Sequence, residues 1–373
     1  MDTFGRIGFS DEQRELQDVA TAFCREKFST DKSRALLSSE IGYDEAIWQE
    51  MVALGWTAIA IPERFGGVGL SLSEVTPVIE QIGRNFAHTP LHSSTIAAHA
   101  LLFGATEEQC ASILPKIVDG TVVSLALSED DGMWDLETVS TTAKRDGEMI
   151  AISGVKRFVV DAEVANALIV SVSLDSAPAL VIIHKSDLDK NALSRETVID
   201  ETKRSYRIRF DDIRIPSDQL MDIDKARTAL HQIDLAANLL SSAEMVGGCQ
   251  AVIDYTLDYL KTRKQFGKLI GSYQALKHPT VDAFLDYEQA RSHLYSAAHC
   301  IGEQGVGEIA VRMAKAAADK AYSFSSDRSI QFHGGFGFTY DCDAQLHRRR
   351  AIWHASQYGD SLWQRQKLAQ LIL

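Results

Sequence analysis

RSIQFHGGFGFTYDCDAQLHRRRAIWHASQYGDS, residues 328–361, packs three features into one stretch. Gly334, Gly335 and Gly337 make a turn in which backbone can come close to a ligand. His347, Arg348, Arg349 and Arg350 follow as a basic run able to serve phosphate or carboxylate. Tyr358, Gly359 and Asp360 close it as a polar segment. Taken alone, the stretch also reads as a helix–loop–helix with a solvated basic patch, so its meaning comes from the chain around it.

That chain has 373 residues, too many for one ordinary core, and predicts two or three domains. At 45% hydrophobic and 24% charged it has the composition of a soluble globular protein. A net charge of −13 argues against general nucleic-acid binding. Cys24, Cys110, Cys249, Cys300 and Cys342 are scattered, odd in number and never spaced as CxxC. They read as reduced core thiols of a cytoplasmic protein rather than disulfides or zinc ligands. The N-terminus has no basic segment followed by an apolar one, so no signal peptide is expected. No run is long and apolar enough to span a membrane.

Upstream of residue 121 the pattern is helical. Ser10 followed by Gln13 forms a capping box, and Leu16, Val19, Ala20 and Phe23 recur at helical spacing. Amphipathic stretches follow at 45–54, 72–82 and 94–103, interrupted by the Pro/Gly-shaped loop IPERFGGVGL, residues 61–70. Around Gly120 the period changes. Runs at 122–127, 139–144, 149–153, 167–173, 179–184 and 205–210 are β-branched or alternating, with no helix between them. They predict a small antiparallel β-domain. From about Asp222 long Ala- and Leu-rich patterns return, at 235–262, 274–303, 308–331 and 346–355, and predict a helical bundle. The domains expected are 1–121 all-α, 122–220 β and 221–373 four-helix bundle, an α+β fold.

Several chemistries are not supported. GGFGF follows a helix and lacks the spacing of a dinucleotide fingerprint. There is no P-loop lysine motif and no G-x-S-x-G elbow. His347 and His354 lie seven apart with no third ligand at metal spacing, so no metal site is expected.

The helical, β, helical order and its motifs resemble the acyl-CoA dehydrogenase family along the whole chain. IPERFGGVGL resembles that family's N-terminal PEEYGGLG-type loop. LALSED, residues 125–130, resembles the strand that begins its flavin-facing motif. FDDIRIP, residues 210–216, resembles the exit from its β-domain. The two most specific matches are TRKQFGKLIGSYQALKH, residues 262–278, to R-x-x-F-G…Q, and QFHGGFGF, residues 331–338, to QxxGGxGF. The resemblance implies FAD bound between subunits. One protomer holds the flavin ring, and its neighbour contacts the pyrophosphate and adenosine half through Arg263, Phe266, Gln274, Gln331, Gly334 and Gly335.

The other half of the resemblance is altered. The family's reaction needs a carboxylate base for the α-proton. In the tail motif resembling YEGTSQIQR this chain has QYGDSLWQR, residues 357–365, with Tyr358 in the glutamate's place. A phenol, with a pKa near ~10, is a poor base for that step. The second position at which some members carry the glutamate falls on Ala237, next to Asn238. Asp234 and Glu244 are the nearest acids. In KRFVV, residues 156–160, Val160 replaces a threonine that serves the flavin, while Ser128 is retained. DDGMWD, residues 130–135, has lost glycines of the family's pattern. Asp360 and Leu362 replace FAD-contacting residues, and an aspartate there would repel a pyrophosphate. Contacts offered to a neighbour's FAD are kept, and contacts to the protomer's own flavin and substrate are eroded. The resemblance therefore implies a non-catalytic subunit, paired as α2β2 with a paralogue that carries the glutamate. That paralogue would hold the acyl-CoA, with a steroid side-chain CoA ester as the candidate, and pass electrons to an electron-transfer flavoprotein or similar acceptor. Two alternatives stay open: a self-sufficient homo-oligomer with Glu244 or Asp234 as a displaced base, and a flavin monooxygenase or oxidase on the same fold.

Overall fold

The computed structural model describes residues 10–373, which form two compact units built from non-consecutive segments. One takes residues up to Arg34, Leu72–Ala87 and Asn238–Leu373. The other takes Ala35–Ser71 and His88–Ala237.

The first unit is helical. α1 (Asp11–Lys27) starts at the expected capping box: the Ser10 hydroxyl accepts from Gln13 N, and the Gln13 side chain accepts from Ser10 N. α2 is Thr30–Ala35, and α4, Leu72–Arg84, is buried over almost its whole length. α7 (Ala226–Thr262) belongs to this unit from Asn238 onward. It is followed by α8 (Gln274–Cys300), α9 (Val306–His333), α10 (Asp343–Ala355) and α11 (Ser361–Ile372). Small side chains let these long helices approach closely. A Cβ built on Gly247 of α7 would lie 1.9 Å from the Glu80 carbonyl oxygen of α4. A Cβ on Gly83 would lie 2.1 Å from the Glu244 carbonyl oxygen. The two backbones touch, and neither can retreat without opening the core. Gly247→Ala is accordingly expected to lower stability by about 1–3 kcal/mol. The thermal unfolding midpoint would report it, and an unchanged midpoint would contradict the contact.

The second unit carries the sheet, with α3 (Glu45–Ala53), α5 (Leu91–Gly104) and α6 (Glu107–Val118). Its strands are β1 (Val123–Ala126), β2 (Thr142–Asp146), β3 (Met149–Val160), β4 (Ala167–Leu174), β5 (Ala177–His184), β6 (Leu193–Glu196) and β7 (Ser205–Pro216). β3 and β7 are longer than their sequence pattern. They pair with each other through register shifts at Ile152/Gly154 and Lys156/Val159, which absorb residues that break the alternation. FDDIRIP is thus the second half of β7 rather than a connection. The sheet is not wholly antiparallel: β1 and β2 both run parallel to β4, one after the other along its edge, while β5 pairs β4 in the antiparallel sense. β4 is buried at nearly every position, as a strand covered on both faces must be. All five cysteines are free, and burial pushes the Cys24 and Cys249 thiols up to about 12, which makes them inert. Among the described residues no helix is long and apolar enough to cross a membrane.

Candidate functional site

α7 ends at Thr262, and a two-stranded hairpin follows at once: β8 (Lys264–Gln265) and β9 (Lys268–Leu269). Its turn residues, Phe266 and Gly267, both have positive φ, +52° and +81°, the backbone a tight two-residue hairpin requires. A phenylalanine there is unusual, and the conformation holds its ring 92% exposed. Phe336, Phe338 and Tyr340 are exposed as well. α9 ends at His333, where Gly334 caps it at φ +64°. Nothing lies within 4 Å of a Cβ built on Gly334 or Gly335, so the backbone there is open to approach.

These pieces enclose one cavity of about 640 Å³, lined by the hairpin, the start of α8 and the end of α9. Arg263, Phe266, Gln331, Gly334 and Gly335 line it together, although residues 263 and 335 are far apart in sequence. Gln274 does not. It is the exposed first residue of α8, beside the lining residues Tyr273 and Ala275. Arg328 and His333 line the cavity and were not singled out as ligand contacts from sequence. Arg328 stands three residues before Gln331 on α9, a helical spacing that could have flagged it.

The tail is held by buried groups of α9 and α11. Lys315 Nζ donates to the carbonyls of His354 (2.8 Å) and Gly359 (3.1 Å). Gln364 Nε2 donates to the Tyr358 carbonyl (2.7 Å) and to Asn238 Oδ1 (3.1 Å), and Gln364 Oε1 accepts from Arg312 (3.0 Å). Tyr358 is kept at φ +53°, a strained backbone for a side chain of that size. Asp360 caps α11, its carboxylate accepting from Trp363 N at 2.8 Å. Leu362 is exposed.

The basic run divides three ways. Arg350 is buried, donates to Glu244 Oε1 at 2.7 Å and to the Ala87 carbonyl at 3.2 Å, and lies over the Phe86 ring. Arg349 lies over Tyr340, and Arg348 donates to the Ser323 carbonyl. Glu244, also buried, has His354 Nε2 3.2 Å away on the same oxygen. The geometry of a carboxylate committed to a guanidinium serves the pair. Asp234 is half-buried in α7, and Ala237 is fully buried in the same helix.

In the β-unit, Lys156 Nζ donates to Glu129 Oε1 at 2.7 Å, to Ser171 Oγ at 2.9 Å and to the Leu127 carbonyl at 3.2 Å. Burial pushes the Glu129 carboxyl up, but Lys156, Ser140 and Thr141 outweigh it and bring it down to about 2. Burial pulls Lys156 down to about 8 against the attraction of Glu129. The carboxylate's direction governs the pair, because several donors converge on it, and both groups stay charged at neutral pH. This pair clamps the loop after Ser128. Val160 offers no hydroxyl, and its carbonyl accepts from Ser124. Among the described residues no cluster of three His, Cys, Asp or Glu could hold a metal.

The acyl-CoA dehydrogenase N-terminal domain profile matches residues 10–121, and the acyl-CoA dehydrogenase C-terminal domain profile matches residues 235–373. The chain belongs to the acyl-CoA dehydrogenase family. FadE12 of Mycobacterium tuberculosis, named an acyl-CoA dehydrogenase, is 29% identical over 311 residues, 79% of each chain. IpdE2 of Mycolicibacterium smegmatis, also named an acyl-CoA dehydrogenase, is 27% identical over 352 residues, 94% of this chain and 95% of its own. A solved structure described as a Tcur3481-Tcur3483 steroid ACAD variant superposes with a TM-score of 0.86 at 28% identity, covering 97% of this chain and 98% of that one. As an acyl-CoA dehydrogenase, the chain is an oxidoreductase of acyl-CoA esters with FAD as its cofactor. The cavity fits such a group: it joins two arginines to an open glycine backbone and an otherwise largely apolar wall.

Proposed function

We propose that this chain is the non-catalytic subunit of a heteromeric acyl-CoA dehydrogenase, completing the FAD site of a paralogue that carries the catalytic glutamate. The observation that carries the reading is the cavity lined jointly by Arg263, Phe266, Gln331, Gly334 and Gly335, in a chain whose base positions hold Tyr358 and Ala237. Arg263 and Arg328 neutralise a diphosphate, Phe266 offers an apolar face, and the glycines admit it against backbone. Gln274 flanks the same site. FAD, when bound, supplies the two-electron oxidant. Neither Tyr358 nor Ala237 supplies a carboxylate for the α-proton, so the partner must. The subunits assemble as α2β2 in the cytoplasm, the partner holds the acyl-CoA, and an electron-transfer flavoprotein or similar acceptor reoxidises the enzyme. The likeness to a steroid dehydrogenase named as a pair of polypeptides supports a steroid side-chain CoA ester as substrate. Domain limits of 1–121, 122–220 and 221–373 suit these roles. A self-sufficient enzyme with Glu244 as base is disfavoured by the Glu244–Arg350 pair.

The test is flavin retention in the co-purified complex. Arg263→Ala is expected to weaken FAD binding about 10- to 100-fold, the loss of charge-assisted hydrogen bonds to phosphate. Unchanged affinity would remove Arg263, and with it this cavity, from the flavin site.

A further inference from the structure

Two residues that line the cavity, Arg328 and His333, each keep one buried polar atom with no hydrogen-bond partner, Nε and Nε2. His333 is 4% exposed. Its ring stacks on Tyr255 and Tyr259, with centroids 4.8 and 4.1 Å away, so its orientation is fixed. Nδ1 lies 2.7 Å from the Ser329 carbonyl oxygen. A carbonyl cannot donate, so Nδ1 carries the proton, and in the neutral ring Nε2 is a bare acceptor. Burial lowers the imidazole pKa and favours that neutral form. A buried acceptor without a donor is uncommon in a folded protein. Phosphate oxygens cannot serve it, because they only accept. The nucleoside half of a dinucleotide can, through a base amine or a ribose hydroxyl. Gly334 and Gly335 follow His333 directly, and nothing lies within 4 Å of a Cβ built on either.

We propose that His333 is a positioning residue whose Nε2 reads a hydrogen-bond donor on the nucleoside half of the bound dinucleotide. The inference rests on the FAD-site reading of the cavity and adds to it the residue that orients the adenosine. It is tested by calorimetry on the full chain with three probes: ADP, IDP (which has a carbonyl in place of the amine) and 2′,3′-dideoxy-ADP (which has no ribose hydroxyls). ADP is expected to bind about 10-fold more tightly than the analogue lacking the donor. A deficit with IDP identifies the amine, and one with the dideoxy analogue identifies a hydroxyl. His333→Phe keeps a stacking ring and removes the acceptor, so it should bind ADP as weakly as that analogue. Equal affinity of the unaltered chain for all three probes overturns the proposal whatever the variant does. So does an ADP preference that survives in His333→Phe. If the unaltered chain binds none of the three, both this proposal and the cofactor reading beneath it fail. Binding without discrimination sinks this one alone.

Discussion

Purified without a partner, the chain is expected to dehydrogenate acyl-CoA about 100- to 10,000-fold more slowly than the complex, the scale on which a positioned general base contributes. The deficit is chemical. The tail scaffold is intact: Lys315 and Gln364 hold the carbonyls of His354, Tyr358 and Gly359 from buried positions. What it presents at the end is a phenol. Ala237, the other base position, has no proton-accepting group at all. Dye-coupled turnover across a panel of CoA esters, with flavin content determined on the same sample, measures the effect. Stoichiometric FAD together with turnover by the lone chain would sink the half-site reading. Restored turnover on adding a glutamate-bearing paralogue is the positive result.

The second large effect concerns Arg350. Its guanidinium and the Glu244 carboxylate are each 2% exposed. Arg350→Ala would strand a buried carboxylate, which typically lowers stability by about 3–5 kcal/mol. Replacing both partners, as Glu244→Leu with Arg350→Met, should recover much of the loss, because a buried pair is often no better than packed hydrocarbon. Thermal unfolding of the single and double variants decides it. A loss under about 1 kcal/mol for Arg350→Ala would mean that water reaches the pair. The comparison also separates two roles for Glu244, since a displaced base would lose rate on mutation with little change in stability.

Local signals were legible and distant ones were not. Ser10 and Gln13 announce α1, and the capping atoms lie where those side chains predict. The 274–303 and 308–331 patterns recover α8 and α9 to within a few residues. The helical, β, helical order follows from the change of period near Gly120. β6 escapes the pattern because LSRE is short and polar, an edge strand that pairs with β7. The parallel pairing of β1 and β2 with β4 depends on chain paths that periodicity does not encode. In the site, motif spacing picks out Arg263, Phe266, Gln331, Gly334 and Gly335, which the fold brings to one cavity through one short hairpin and one helix end. Gln274 starts α8 beside the lining residues Tyr273 and Ala275 rather than among them. The capping of α11 by Asp360 is a second role that the motif does not show. Arg350 belongs to a run able to serve phosphate or carboxylate, and only the fold selects Glu244, 106 residues away.

The exposed aromatics around the cavity bear on how much of this protein a cell can keep. Phe266 is held outward by its hairpin, and Phe336, Phe338 and Tyr340 are also open to water. Apolar surface of this kind is what chaperones and proteases sample on an unassembled chain. Read as half of a heteromeric pair, the chain is expected to be cleared when made in excess and to persist when covered, so that its abundance would follow its partner's rather than its own rate of synthesis.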